Sequence, residues 1–353
     1  SMNYVGASTD SMAADACQDQ ILLAEWHVVA YSHEVLSGTL VPVTLLARDL
    51  VLWRDDEGEA HVWEDLCVHR GARLSKGWIQ DNNVVCPYHG WRYDSSAACV
   101  FMPAAPQEKP MKKARTIPHH TQEKYGFIWV CLGTPAADIP EFVEWDDPSY
   151  QKVHCGPYQF RSGYRALDNF VDPTHFPFVH AGVNGVLEEP DPIGTYEVHE
   201  DENGLSSSEV QVTQPYGDPR GVPVIAYYSY KIMRPLVAYL KKRLVIADPA
   251  RQHEGNPSDR FVTYFTAQPV DHSTSIVRIC CGTNFTPQPT HEDVRRRQDL
   301  VYAQDSAIVD TQRPERIPVD LRYELHHRSD LIGQKYRSWL KTRGVSYGIH
   351  GAL

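Results

Sequence analysis

With 353 residues, 42% apolar and 22% charged, the chain has the composition of an ordinary folded protein and the length of two domains. A net charge of −11 argues against nucleic-acid binding, which needs clustered cations; the runs Lys241, Lys242, Arg243 and Arg295, Arg296, Arg297 are expected to be solvated faces. No stretch of about 18 apolar residues is present to cross a bilayer, the opening residues lack a basic-then-apolar leader, and the eight cysteines form no regular framework. A cytoplasmic protein with no membrane and no nucleic-acid partner is therefore expected.

Residues 1–19 are expected to form a poorly ordered tail. From Glu25 to about Phe142, short β-branched and aromatic runs separated by turn residues read as strands at 26–30, 41–47, 49–55 and 61–65, with a hairpin turn at 55–58, and again at 91–94 and 125–133. This is an all-β domain over residues 20–140. The segment 134–150, dense in Pro, Asp and Glu, marks a linker, and 141–353 form a second domain. There a helix is expected to begin near Arg165 and break near Pro173. Strands follow at about 195–199, 207–214, 224–234, 260–269 and 276–285, then helices at 290–310 and 330–342. Strands followed by a long helix give an α+β domain, not a parallel βαβ array.

Cys67 and His69 are separated by one residue, and Cys86 and His89 by two, in the stretches CVHRGARLSKG and CPYHGWRYD. Structural zinc also takes two thiolates and two imidazoles, but zinc fingers group the cysteines in one pair and the histidines in another. Here each pair is mixed. Two similar loops can each offer one soft thiolate and one imidazole, which is the donor set of a Rieske 2Fe-2S cluster.

His175 and His180 lie five apart in DNFVDPTHFPFVH. Histidines in such an apolar stretch are commonly packed side chains, but a one-electron carrier upstream favours a metal. Two imidazoles and one carboxylate on one face of an iron leave positions open for dioxygen and substrate. For the carboxylate the choice is Asp305 in VYAQDSAIVD, an acid in mid-helix flanked by Tyr302, Ala303, Ile308 and Val309. Asp310 is the competitor; at about 100° per residue the two point roughly 140° apart and cannot share a metal.

Over Trp26 to Tyr347 the chain resembles the oxygenase (α) component of the Rieske non-haem iron oxygenases. The resemblance rests on the two cluster loops, on the series Asn169, Asp172, His175, His180, and on Gln304-Asp305. Within that family it is most similar to oxygenases built from α subunits alone, the group of dicamba O-demethylase, the caffeine N-demethylases and the hydroxylases of saxitoxin-type alkaloids. The resemblance implies an N-terminal Rieske domain and a C-terminal helix-grip (START-like) catalytic domain, assembled head to tail as a homotrimer. It implies a cluster on Cys67, His69, Cys86 and His89 and a mononuclear non-haem Fe(II) on His175, His180 and Asp305, with O2 as cosubstrate. NAD(P)H would act only through a separate ferredoxin or flavin/2Fe-2S reductase. Asp172 is implied to bridge His175 to His89 across the subunit interface, and Asn169 to stand near the iron without being a strong ligand. The implied activity is monooxygenation of a small molecule, seen as hydroxylation or as O- or N-demethylation. A cis-dihydroxylating aromatic dioxygenase and a pure Rieske electron-transfer protein are the alternatives.

Respiratory Rieske proteins carry an extra cysteine in each loop, where this chain has Ala72 and Tyr88, so no disulfide covers the cluster. Its potential is expected toward the low end of the range of about −150 to +300 mV. Arg70, Arg73 and Lys76 offer a docking surface for an acidic donor. Substrate contacts are expected from Tyr228, Tyr230, Ile232, Tyr264 and Asn284, a mixture that suits a polar heterocycle or a substituted aromatic.

Overall fold

The computed structural model describes residues 17–352, which divide into two compact units, up to Asp138 and from Ile139. Most of the expected tail, residues 1–16, lies outside the described residues. Beyond it Cys17 is buried, and Asp19 caps α1 (Gln20–Leu23) by accepting the Ile21 and Leu22 N–H groups, so order begins earlier than expected.

The first unit is all β. Its strands are β1 (His27–Tyr31), β2 (Val41–Leu45), β3 (Arg48–Arg54), β4 (Ala60–Glu64), β5 (Trp78–Gln80), β6 (Asn83–Val85), β7 (Arg92–Tyr93), β8 (Cys99–Phe101), β9 (His120–Lys124) and β10 (Phe127–Cys131). They pair antiparallel as β1-β10-β9, β2-β3-β4 and β5-β6-β7-β8. All five residues of β10 are buried, as an unbroken apolar run in a central strand requires. At the β3–β4 turn the Asp55 carboxylate accepts the N–H groups of Glu57 and Glu59. Cys67 and Cys86 belong to the buried cluster of Val51, Trp53, Trp63, Val84 and Tyr93, so both ligand loops are rooted in the core.

The second unit is built on one antiparallel sheet. Its strands are β11 (Gln151–Phe160), β12 (Val198–Asp201), β13 (Gly204–Ser207), β14 (Val210–Gln214), β15 (Val224–Arg234), β16 (Val237–Ile246), β17 (Arg260–Asp271) and β18 (Thr274–Thr283). The order is β11-β18-β17-β16-β15-β13-β12, with β14 also on β15. Among the strands that go beyond the sequence reading are β11 and β16. In β11, Gly156 and Pro157 sit where the register shifts between Cys155 and Tyr158, a bulge that hides the strand pattern. β16 contains Lys241, Lys242 and Arg243, so this run is strand; the Lys241 and Arg243 side chains are 40% and 38% exposed on its solvated face, and Lys242, between them, points to the other face.

Four helices complete the unit: α2 (Gly163–Phe170), α3 (Phe176–Val179), α4 (His291–Val309) and α5 (Leu331–Arg343). α2 starts at a Ser162 cap and stops before Pro173, which disfavours helical backbone in the residue ahead of it. α4 starts at a Thr290 cap with Glu292 and Asp293 in its first turn, where acids suit the helix dipole. It lies across β11, with Tyr158 and Tyr302 stacked at 4.4 Å and the Tyr158 hydroxyl donating to Asp299 at 2.8 Å. α5 is tied to α2 by Arg337, whose guanidinium donates to Asp168 at 2.8 and 3.0 Å. The fold is α+β, an all-β unit followed by a large antiparallel sheet with helices. Among the described residues no helix is long and apolar enough to cross a membrane.

Candidate metal centres

The loops after β4 and β6 are near copies. In each, the cysteine N–H donates to the carbonyl five residues on, Ala72 at 2.8 Å or Trp91 at 2.9 Å. In each, a glycine four residues on, Gly71 or Gly90, donates back to the cysteine carbonyl at 2.9 or 3.0 Å. Both glycines have φ near +75°, at 78° and 75°, a conformation that a Cβ would strain. The nearness of the two buried thiols draws Cys86 down to about 6 and pushes Cys67 up. The rings of His69 and His89 meet edge to face at 4.5 Å, and His69 stacks on Trp91 at 4.2 Å. His69 Nδ1 is buried and accepts or donates no hydrogen bond among the described residues. A buried imidazole nitrogen without a partner, in a loop that also supplies a buried thiol, fits coordination to iron.

The Tyr93 hydroxyl lies 3.1 Å from Cys67 Sγ and accepts the Val68 N–H at 3.2 Å. A hydroxyl donating to a cluster sulfur stabilises the reduced, more negative state and raises the potential. Tyr93→Phe is expected to lower that potential by about 40 mV, the one-electron equivalent of one hydrogen bond of about 1 kcal/mol. A redox titration followed at the cluster's visible bands measures it; no change would show that the hydroxyl does not engage the sulfur. Of the three cations expected around this loop, Arg73 pairs with Asp49 at 2.7 Å, while Arg70 and Lys76 are exposed.

In the second unit, His175 and His180 bracket the single turn of α3, which carries Pro177 in its opening positions. Their Nε2 atoms lie 3.2 Å apart. Asp305, on the buried face of α4, brings Oδ1 to 2.9 Å from His180 Nε2 and 3.5 Å from His175 Nε2. Asp305 Oδ1 makes no well-directed hydrogen bond among the described residues, and the three atoms all lie within 4.8 Å of one another. That arrangement fits a cation held on one side by two imidazoles and one carboxylate. Burial pushes the Asp305 carboxyl up, but the facing His175 and His180 outweigh it and hold it at about 2. Burial likewise disfavours a charged His175, yet Asp172 and Asp305 raise it to about 9. Asp310 is occupied elsewhere, ending α4 and accepting the Arg161 N–H at 3.0 Å.

Asp172 is half-exposed and accepts the Thr174 N–H and hydroxyl, both at 2.6 Å. Its Oδ1 is 3.9 Å from His175 Nδ1, which has no hydrogen-bond partner among the described residues.

His175, His180 and Asp305 stand in the wall of a cavity of about 850 Å³, its open mouth included, which Asn169 also lines. Opposite register places Tyr228, Lys242 and Phe261 in one row across β15, β16 and β17. The Lys242 ammonium sits 5.1 Å from the Tyr228 ring and 4.7 Å from the Phe261 ring, all three facing the cavity. Of the five expected substrate contacts, Tyr228 lines this space. Tyr230 and Ile232 are buried farther along β15. Tyr264 lies on the other face of β17, its hydroxyl donating to the Pro140 carbonyl at 2.7 Å. Asn284 accepts the Arg260 N–H and donates to the Ser258 carbonyl. Lys242 and Arg297 line the cavity without having been expected there, because a charged run reads as solvent-facing until strand pairing shows which way it points.

Thiol–imidazole loops and a two-histidine, one-carboxylate pocket on one chain are the parts of an iron-dependent oxygenase. Residues 25–120 match the Rieske 2Fe-2S domain, and residues 164–344 match the vanillate O-demethylase oxygenase C-terminal domain. Methylxanthine N1-demethylase NdmA of Pseudomonas putida is 29% identical over 327 residues, covering 90% of this chain and 87% of its own. The solved structure of Pseudomonas putida CBB5 NdmA with caffeine matches with a TM-score of 0.72 at 26% identity, over 91% of each chain. Dicamba monooxygenase with non-heme iron and dicamba shares the fold, with a TM-score of 0.67 at 21% identity over 92% of this chain and 98% of that one. The chain belongs to the Rieske non-haem iron oxygenases, as an oxygenase α subunit whose cofactors are a Rieske 2Fe-2S cluster and a mononuclear non-haem iron.

Proposed function

We propose that the protein is a monooxygenase that inserts one atom of O2 into a C–H bond of a small organic molecule. The product is a hydroxylated compound, or a demethylated one where the attacked carbon is an O- or N-methyl group. The observation that carries this reading is the convergence of His175 Nε2, His180 Nε2 and Asp305 Oδ1 on the wall of an open cavity lined by rings and polar side chains. When bound, the cluster delivers electrons singly and the ferrous iron activates dioxygen.

The chain's own residues do the rest. Cys67, Cys86, His69 and His89 hold the cluster, with the thiolates kept from water by the surrounding core. His175, His180 and Asp305 would hold the iron at the cavity wall, within reach of a molecule in the cavity. Asp172, 3.9 Å from His175 Nδ1, is placed to take the proton side of that ring on closer approach and, through its exposed part, a hydrogen bond from His89 of a neighbouring copy in a head-to-tail homotrimer. Asn169, which lines the same cavity, would stand near the iron without being a strong ligand. Tyr228 and its row on the sheet orient the substrate. Electrons from NAD(P)H arrive through a separate ferredoxin or flavin/2Fe-2S reductase, which the exposed Arg70 and Lys76 help to dock. A polar heterocycle is the substrate type best supported, by the cavity's mixture of rings and polar groups and by the methylxanthine demethylases among the relatives.

The test is a substrate screen with a surrogate reductase under labelled O2, read by mass spectrometry. Gain of a single labelled oxygen, or loss of a methyl group as formaldehyde, is the expected result. A dihydrodiol holding both labelled atoms would make the protein a dioxygenase instead. Iron analysis that finds no metal beyond the cluster's pair would reduce it to an electron carrier.

A further inference from the structure

The structure assigns Gln304 a task outside the ligand set: it positions His180. Gln304 and Asp305 are consecutive on α4, so their side chains leave the helix about 100° apart. Asp305 turns Oδ1 toward His180 Nε2 at 2.9 Å, and Gln304 turns Oε1 toward the far side of the same ring, 2.9 Å from His180 Nδ1. Two neighbouring residues of one helix thus address both nitrogens of one imidazole.

An amide oxygen only accepts a hydrogen bond, so this contact requires the ring proton on Nδ1. The Nε2 lone pair is then the one that faces Asp305 Oδ1 and His175 Nε2. His180 is 1% exposed, and water does not stand in for a lost partner there. His175 is treated differently: its Nδ1 is buried without a partner, with Asp172 still 3.9 Å away. Gln304 therefore fixes the inner imidazole within the chain, and the outer one is left for Asp172. Outer partners of this kind hold ring orientation and tautomer, and losing one costs roughly 10–100-fold in metal affinity. The inference rests on the reading of His180 as an iron ligand.

The test uses protein that retains its cluster but has been stripped of mononuclear iron, titrated with Co(II) and followed at the ligand-field bands. Gln304→Met keeps the length and removes the acceptor; its Co(II) Kd is expected to rise about 10–100-fold while the cluster's visible circular dichroism stays that of wild type. Gln304→Glu restores an acceptor and is expected to bind within about threefold of wild type, with the same ligand-field spectrum. Wild-type affinity in the Met variant overturns the proposal. So does a tenfold or greater loss in the Glu variant, which remains decisive if the Met variant fails to fold. His180→Ala separates the underlying reading: undiminished Co(II) affinity in that variant would mean that His180 is not a ligand at all.

Discussion

Asp305→Ala is expected to abolish product formation and leave the protein unable to retain mononuclear iron, with the cluster's visible spectrum unchanged. Asp305 is 5% exposed and is kept ionised by the two imidazoles that face it. Alanine removes the only carboxylate that the described residues place in the cavity wall and leaves a pair of histidines, which bind a divalent ion weakly and in no fixed geometry. The loss of affinity should exceed the roughly 10–100-fold typical of residues that merely support a ligand. Iron analysis after desalting, set against the cluster's absorbance, measures it. Retention of a full complement of iron would remove Asp305 from the ligand set, and Asp310 would not replace it, since its carboxylate is committed to the Arg161 N–H.

Asp172→Asn should do the opposite to the metals and nearly the same to catalysis. The amide preserves size and the contacts to Thr174 but removes the charge that faces His175. Burial opposes ionisation of Asp172, and His175 with Thr174 outweighs it, so the native group is a carboxylate. Both iron sites should fill normally and the cluster should be reduced normally. Steady-state turnover should fall by about 10²-fold or more, the scale on which positioned hydrogen-bonding and proton-handling groups act. Single-turnover kinetics starting from reduced cluster place the defect between the centres; unchanged steady-state rates would sink the assignment of Asp172 as the bridge.

The two sites were legible to different depths for physical reasons. Cluster loops announce themselves because four donors must come from two tight turns, and tight turns keep Cys67, His69, Cys86 and His89 close in sequence. The third ligand was readable as an acid on the apolar face of a helix, which is where Asp305 lies. The substrate wall was not. Tyr228, Tyr230 and Ile232 alternate along β15 and share a face, but eleven residues span roughly 36 Å and the cavity meets only part of that length. For β17 the same logic gave no choice of face: Phe261 and Thr263 look into the cavity, and Tyr264 looks away. β16 stayed hidden because three consecutive cations read as a solvated face, whereas the Lys242 ammonium is steadied there by two ring faces from the adjacent strands.

The row of Tyr228, Lys242 and Phe261 lies on elements separate from those that present His175, His180 and Asp305. An exchange at Lys242 or Phe261 alters charge and shape against a guest molecule from the sheet side, whereas Tyr228 also packs on Phe176 beside the two histidines. Selectivity can thus drift across a lineage while oxygen chemistry is inherited intact, and a library confined to this row is where a new guest should be sought first.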